Sequence, residues 1–480
     1  MKSNISAYTF IAILVVLNLV LAVYATPVTD FGDASSYIKL SKTFLGEVEN
    51  ANLQNRSPLY SIILAGFMLI FKAPPVFKAM IVFQYMLVAI SAWLVYLLFR
   101  RLFQKKELAM LVALLFNLSF STIFYANIIQ TEILSVFLLV ASIFLLLWVL
   151  DTSSFLWIIS LGVALGLFSL ARFNTIPLII PFVLLLGYIL LRQKVSFKKW
   201  FFSMGAFILS YAFIINLWCL YNYHQQGVYR LFPGVSVGMP LNPPLNITLA
   251  SIRPGNKVSE ANKPVLEIFL KAREVYLSRN TSVLKGSLSR LDKSGILDGL
   301  FSGYAIYNIA SPELEAHYDL LKRTNKLKSA WDFGIFLREI AAQNKGFIWK
   351  YRFYSLLNSF RASCGGALPV GYGNINLNIL PSLAFITFKF VFTFISVFVF
   401  IAFFFFLLSV VKAKFKPDIT LLTMFFIVFS FWGINFLFYT VGDANRFKYP
   451  VDPLIIGLFV YYFYELIKWL KIKKIHKNET

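Results

Sequence analysis

Runs of some twenty apolar residues, set apart by short clusters of lysine and arginine, leave this chain almost no choice of solvent. At about 1.5 Å per residue, a helix of roughly 20 apolar residues crosses the ~30 Å hydrocarbon core of a bilayer. Ten runs are expected to do so: 6–25, 78–99, 108–126, 132–150, 156–171, 175–191, 200–221, 383–411, 419–441 and 450–470. Hydrophobic residues make up 59% of the chain and charged ones 14%. Soluble domains average roughly 45–50% and about 25%, so this much apolar surface needs lipid around it. The expected fold is an all-α polytopic membrane bundle. The first run is too long for the core of a usual secretion signal, and no clear small-x-small cleavage site follows it, so it is read as a retained first span.

Lysine and arginine in short loops mark the cytoplasmic side. The clusters are Arg100 to Lys106, Arg192 to Lys199, Lys412 to Lys416 and Lys468 to Lys477. Ten spans with both ends inside place all four on that side. Residues 59–71 are apolar but short, and counting them as a span would turn Arg100 to Lys106 outward. They are therefore expected to form an interfacial or re-entrant helix begun by Pro58. The net charge of +23 is accounted for largely by topology. No recognition motif accompanies it, so no nucleic-acid partner is expected.

Three regions follow. Residues 1–221 form an N-terminal membrane module with a first outer loop, 26–77. Residues 222–382 form a mostly helical extracytoplasmic region, and 383–480 supply the last spans and a basic cytoplasmic tail. Within the middle region, helices are expected from Lys263 to Asn280 and from Ser311-Pro312-Glu313. Leu314 to Phe360 reads as two or three amphipathic helices broken near Lys328 and Gly346. Cys219 and Cys364 suggest neither a disulfide framework nor a metal spacing.

Ionisable residues near spans are the informative ones in such a chain. Asp33 follows the first span and reads either as a helix N-cap or as a general base at the membrane surface. Glu132 opens the fourth span, where it complements the helix dipole or serves as a second site acid. Arg172, between the fifth and sixth spans, either snorkels or holds a phosphate. Arg446 and Lys448 lie on the outer side, against the positive-inside trend, and a phosphate ligand explains them. Arg56 suits the interface or a lipid head group. There is no P-loop, nucleotide fingerprint or Ser/His/Asp motif, and the only histidines are His224, His317 and His476.

Several segments, in this order, carry a resemblance. Asp33 is followed by Tyr37. Asn55-Arg56-Ser57-Pro58-Leu59-Tyr60 opens the short apolar run, and Thr131-Glu132 opens the fourth span. Leu161 to Phe173 includes Arg172, and Asn222 is followed by Gly227. Arg446-Phe447-Lys448-Tyr449-Pro450 precedes the last span. The chain thereby resembles the GT-C membrane glycosyltransferases, in particular bacterial relatives of the dolichyl-phosphate-mannose protein mannosyltransferases and the aminoarabinose transferases. The resemblance implies a GT-C-like bundle and an inverting transfer from a polyprenyl-phosphate sugar donor. It implies an extracytoplasmic acceptor (lipid, glycan, cell-wall polymer or protein) and an active site on the outer face of the inner (plasma) membrane. It maps the catalytic base onto Asp33, and Glu132 stands as the candidate second catalytic acid. Arg172, Arg446, Lys448 and Arg56 become phosphate ligands, and Asp30, Tyr37 and Tyr60 substrate contacts. Relatives often have Asp-Glu where this chain has Asp33-Ala34, so any role of the second acid is lost or passes to Glu132 or Asp30. Some relatives bind a metal near this loop. No ligand set for one is visible here, and no cofactor is carried over. Other classes to separate from this one are a transporter or flippase of lipid-linked sugars and an O-antigen polymerase or ligase.

Overall fold

The computed structural model describes residues 6–30, 33–48, 56–71, 74–103, 105–227, 229, 231, 248–249, 251–279, 306–307, 309–310, 312–314, 316–317, 331–360, 363, 379–412, 417–438, 446 and 448–478. The helices in chain order are α1 (Ala7–Tyr24), α2 (Ala34–Phe44), α3 (Pro58–Ile70), α4 (Pro75–Arg100), α5 (Lys106–Asn117), α6 (Phe120–Ala126), α7 (Glu132–Thr152), α8 (Phe155–Ala171), α9 (Ile179–Arg192), α10 (Phe197–Gln226), α11 (Lys263–Arg279), α12 (Trp331–Gln343), α13 (Lys345–Ser359), α14 (Ile379–Lys412), α15 (Ile419–Phe438) and α16 (Asp452–Asn478). The chain forms two compact units. The first is Met1–Gly234, Phe360–Phe431 and Lys448–Thr480, and the second is Val235–Ser359 with Trp432–Phe447.

Every expected span coincides with a helix or a broken pair of helices, so the chain is an all-α polytopic membrane protein. Among the described residues, eight helices are long and apolar enough to cross a membrane. The run 108–126, expected as one span, is instead α5 and α6 meeting at 49°. Polar residues at the break explain it. Ser119 caps α6 by accepting from the Thr122 N–H, as a serine N-cap does. Asn117 ends α5, and its side-chain oxygen accepts from Asn18 Nδ2 at 2.8 Å. The sixth expected span also starts differently, with a 3-10 stretch over Phe173–Leu178 that contains Pro177. α8 has 17 residues and α3 only 13.

Side-chain exposure fits a lipid surround. Large apolar residues point outward along α1 (Val16, Val20), α10 (Phe201, Leu209, Phe213) and α14 (Phe394, Phe405). Only helices and closed barrels satisfy their backbone groups in that solvent.

The bundle has two distinguishable ends. At one, Arg101 pairs with Asp151, Gln193 Nε2 donates to the Leu150 carbonyl at 2.6 Å, and Arg192 Nη1 donates to the Pro417 carbonyl at 2.9 Å. Residues from three of the basic clusters or their borders are thus gathered together, as the positive-inside pattern requires. At the other end, Val28 forms a parallel bridge with Ile128, and Lys78 Nζ donates to the Ala25 carbonyl at 2.6 Å.

Two close approaches fix helix positions. Gly162 and Gly166 on α8 face Ser210 and Ile214 on α10; a Cβ on Gly166 would lie 2.7 Å from the Ile214 Cβ. Gly457 on α16 lies against the Phe99 ring of α4, where a Cβ would strike the ring.

In the second unit, α11 and α12 share a core in which Phe269 and Phe336 stack with centroids 5.6 Å apart. Glu339 accepts from Asn262 Nδ2 at 3.0 Å, and Gln343 accepts from the Lys257 N–H at 2.8 Å. The helix expected from Lys263 is α11. The break expected near Gly346 falls at Asn344, between α12 and α13. The break expected near Lys328 lies outside the described residues, as does Cys364.

Candidate active site

The site is built at the end of the bundle opposite the basic loops. Asp33 occupies the N-cap position of α2, yet its side chain makes no capping hydrogen bond. Its Oδ1 lies instead 2.7 Å from Arg56 Nη2, with the two side chains 26% and 33% exposed. One turn along α2, the Tyr37 carbonyl accepts from Ser61 Oγ at 3.0 Å. Ser57 Oγ donates to the Ala171 carbonyl at 2.7 Å, which leaves the Tyr37 hydroxyl, 3.5 Å away, to donate to Ser57. Pro58 sits in the first turn of α3, where its missing N–H costs nothing. The Arg56-Ser57-Pro58 stretch is thus pinned at Ser57, and the Arg56 side chain reaches Asp33 from there.

Ala171 leads to Arg172, which terminates α8 in extended conformation, while Glu132 is the first residue of α7. Arg172 Nη2 lies 3.2 Å from Glu132 Oε1. Both choices follow from the backbone: a carboxylate suits a helix N-terminus and a guanidinium a C-terminus. Antiparallel α7 and α8 bring these two ends together. Thr175 Oγ1 donates to the Arg172 carbonyl at 2.7 Å and so holds the turn.

Tyr60 is fully buried beside this pair and donates to Gln84 Oε1 at 3.2 Å. Burial first, then the charge of Glu132, then Tyr37, push its phenol well above the usual tyrosine value. It therefore stays a protonated donor. Gln84 Nε2 in turn donates to the Ala126 and Ile128 carbonyls, each at 3.0 Å. This supports the irregular backbone that precedes Glu132.

Lys448 is 0% exposed. Its ammonium lies 2.7 Å from Asp452 Oδ1 and 3.1 Å from Ser363 Oγ, and 4.3 Å from the centroid of the Phe392 ring. Tyr125 donates to the Ser363 carbonyl at 2.8 Å and packs on Tyr449, whose hydroxyl reaches Thr122 Oγ1 at 3.0 Å. Arg446 belongs to the second unit and is half-buried; Asp30 is exposed. Among the described residues no group of three or more His, Cys, Asp or Glu is placed to hold a metal ion.

The structure therefore gathers Asp33, Arg56, Tyr37, Tyr60, Glu132 and Arg172 into one contiguous set. Lys448 is buried in a cluster with Asp452, Ser363 and Phe392. Sequence reasoning missed Ser57, Gln84, Ser363 and Asp452. Ser57 lay within the segment Asn55 to Tyr60 without a role of its own, and Asp452 had a local signal in its i,i+4 spacing from Lys448.

Residues 55–224 match the family model described as dolichyl-phosphate-mannose-protein mannosyltransferase. No curated protein matches the chain. The matched segment runs from the residue before Arg56 to His224, and so includes Tyr60, Glu132 and Arg172. It supports a membrane glycosyltransferase of the GT-C type.

Proposed function

Given that residues 55–224 carry the pattern of this mannosyltransferase family, we propose that the chain is an inverting glycosyltransferase. It moves a sugar from a polyprenyl-phosphate donor to an acceptor on the outer side of the inner (plasma) membrane. One observation carries the reading. An acid and two guanidinium groups, Asp33, Arg56 and Arg172, are joined by a short path of contacts through Ser57 and Ala171.

In the proposed reaction, the donor's isoprenoid tail lies in lipid and its phosphate at the bundle end that holds Asp33. The acceptor hydroxyl attacks the anomeric carbon from the side opposite the phosphate. Asp33 takes the hydroxyl proton, the new C–O bond forms, and the old C–O bond breaks with its electron pair going to the phosphate oxygen. Attack opposite the leaving group inverts the carbon. General-base assistance of this kind contributes about 10²–10⁴-fold. Charge grows on the phosphate as the bond breaks, and fixed cations aimed at it lower the barrier. Arg56 and Arg172 take that part. Glu132, buried against Arg172, acts as a positioning residue, because its carboxylate aims the guanidinium. Lys448 acts through the Ser363 and Asp452 cluster, and Arg446 is kept as a phosphate ligand on sequence grounds alone. Tyr37 and Asp30 flank the base as acceptor contacts. Residues 222–382 are assigned to the acceptor side.

The test uses purified protein and radiolabelled polyprenyl-phosphate sugar. Release of free polyprenyl phosphate with label moving to an acceptor supports the reading. A donor left intact under all acceptors removes it and favours a carrier of lipid-linked sugars.

A further inference from the structure

We infer that Arg56 is a shared ligand, held by Asp33 in the empty site and surrendered to the carrier phosphate when the donor binds. Donor binding thereby uncovers the base. The inference rests on the transferase reading above and adds a coupling between the two halves of its site.

Three observations point to it. Asp33 is at a helix N-cap without a side-chain capping hydrogen bond, and its Oδ1 lies 2.7 Å from Arg56 Nη2. Both side chains remain partly exposed, at 26% and 33%. An ion pair that open to solvent is weak and exchangeable. The backbone under Arg56 is, by contrast, fixed. Ser57 is buried and bonded to the Ala171 carbonyl, and Pro58 starts α3. Arg56 therefore changes partner by turning its side chain about a backbone held at Ser57.

The chemistry favours the exchange in both directions. A phosphodiester donor that draws Arg56 away vacates the place beside Asp33 Oδ1 where an acceptor hydroxyl then sits. After transfer, Asp33 carries the acceptor's proton and is neutral, so it has no claim on Arg56. The departing carrier is then a phosphate monoester with nearly two negative charges near neutral pH, and it holds Arg56 firmly. Loss of the Asp33 proton to water restores the carboxylate, which competes for Arg56 and helps expel the carrier. The proton count balances: one leaves the acceptor hydroxyl, rests on Asp33 and passes to water.

The experiment is a double-mutant cycle on binding, with polyprenyl phosphate as the probe and purified full-length protein in detergent. Asp33→Asn is expected to tighten binding by about three- to fivefold, the size of a displaced exposed ion pair. Arg56→Gln is expected to weaken it. In the Arg56→Gln background, Asp33→Asn is expected to change affinity less than twofold, because the competition no longer exists. Arg56→Lys, which keeps the charge, is expected to retain part of the coupling and serves if Arg56→Gln does not fold. Equal tightening by Asp33→Asn with and without Arg56 overturns the exchange, since it reports only the removal of a nearby negative charge. Unchanged affinity in Asp33→Asn overturns it as well. If the unmodified protein fails to bind polyprenyl phosphate at all, the transferase reading falls along with it. Binding with an additive cycle leaves that reading standing and removes the exchange alone.

Discussion

Glu132 and Arg172 face each other 3.2 Å apart with side-chain exposures of 0% and 6%, each at the helix end whose dipole suits its charge. A pair this deeply buried resists loss of either member, because the survivor is a charge without water. Removing one partner of such a pair costs about 3–5 kcal/mol. Glu132→Ala is therefore expected to lower unfolding stability by that order, as measured on purified protein in detergent. An unfolding midpoint equal to the parent's would show that Glu132 does not hold Arg172 in place.

Asp33→Asn is expected to behave in the opposite way. The carboxylate is partly exposed and caps nothing. Its loss should leave stability within about 1 kcal/mol, the range for exposed ion pairs. Transfer should fall by about 10²–10⁴-fold, the contribution of a general base. Steady-state turnover beside a melting curve separates the two effects, and retained turnover excludes Asp33 as the base.

Lys448 and Asp452 allow a role to be assigned by a pair of variants. Lys448→Met alone strands a buried carboxylate and is expected to cost about 3–5 kcal/mol. Lys448→Met with Asp452→Leu removes both charges and is expected to recover most of that loss. If the double variant also binds polyprenyl phosphate as the parent does, Lys448 works by packing the bundle. A loss of binding in this stable background identifies it as a phosphate ligand.

Tyr60 contributes a pH dependence. Its phenol is held well above the ordinary value of 10.0 by burial and by Glu132. The unfolded chain therefore loses the proton first as pH rises. The stabilisation is whole below about pH 10 and declines above it, towards the higher folded value. Tyr60→Phe should flatten the alkaline limb of a stability-versus-pH curve. It should also cost about 1–3 kcal/mol at neutral pH by leaving Gln84 short of a donor. An alkaline limb identical in the variant and the parent would show that Tyr60 is not its source.

Gly166→Val tests whether helix packing sets the site. The added side chain would press on Ile214, and overpacking of this kind costs about 1–3 kcal/mol. Because α8 ends at Ala171, next to Arg172, the same change is expected to weaken binding of polyprenyl phosphate. Recovery of binding when Ile214→Ala relieves the clash would locate the effect in the α8–α10 contact, and binding that stays weak would place it elsewhere.

The helices were legible because lipid imposes one simple rule, length with apolarity, and runs such as 132–150 and 200–221 satisfy it without reference to any other part of the chain. Pro58 and Glu132 announced helix starts for equally local reasons. The break at Leu118-Ser119 was missed although Asn117 and Ser119 were visible, because a single apolar run around them outweighed two polar residues. The pairings were another matter. Asp33 with Arg56 and Glu132 with Arg172 depend on which helix ends meet, and spacing along the chain says nothing of that. Asp33 read equally well as a cap, and only the direction of its carboxylate decides against that reading.

The contact of Gly457 with Phe99 has a consequence for the last helix as a whole. It acts as a detent: an aromatic ring seated in a notch permits neither a turn about the axis nor a slide along it. Lys448 lies nine positions earlier, just ahead of the 3-10 stretch Tyr449–Val451 that leads into α16, so its depth at the bundle's far end is gauged from this notch. A methyl group in the notch would strike the Phe99 ring, and α16, with Lys448 ahead of it, would have to shift to make room.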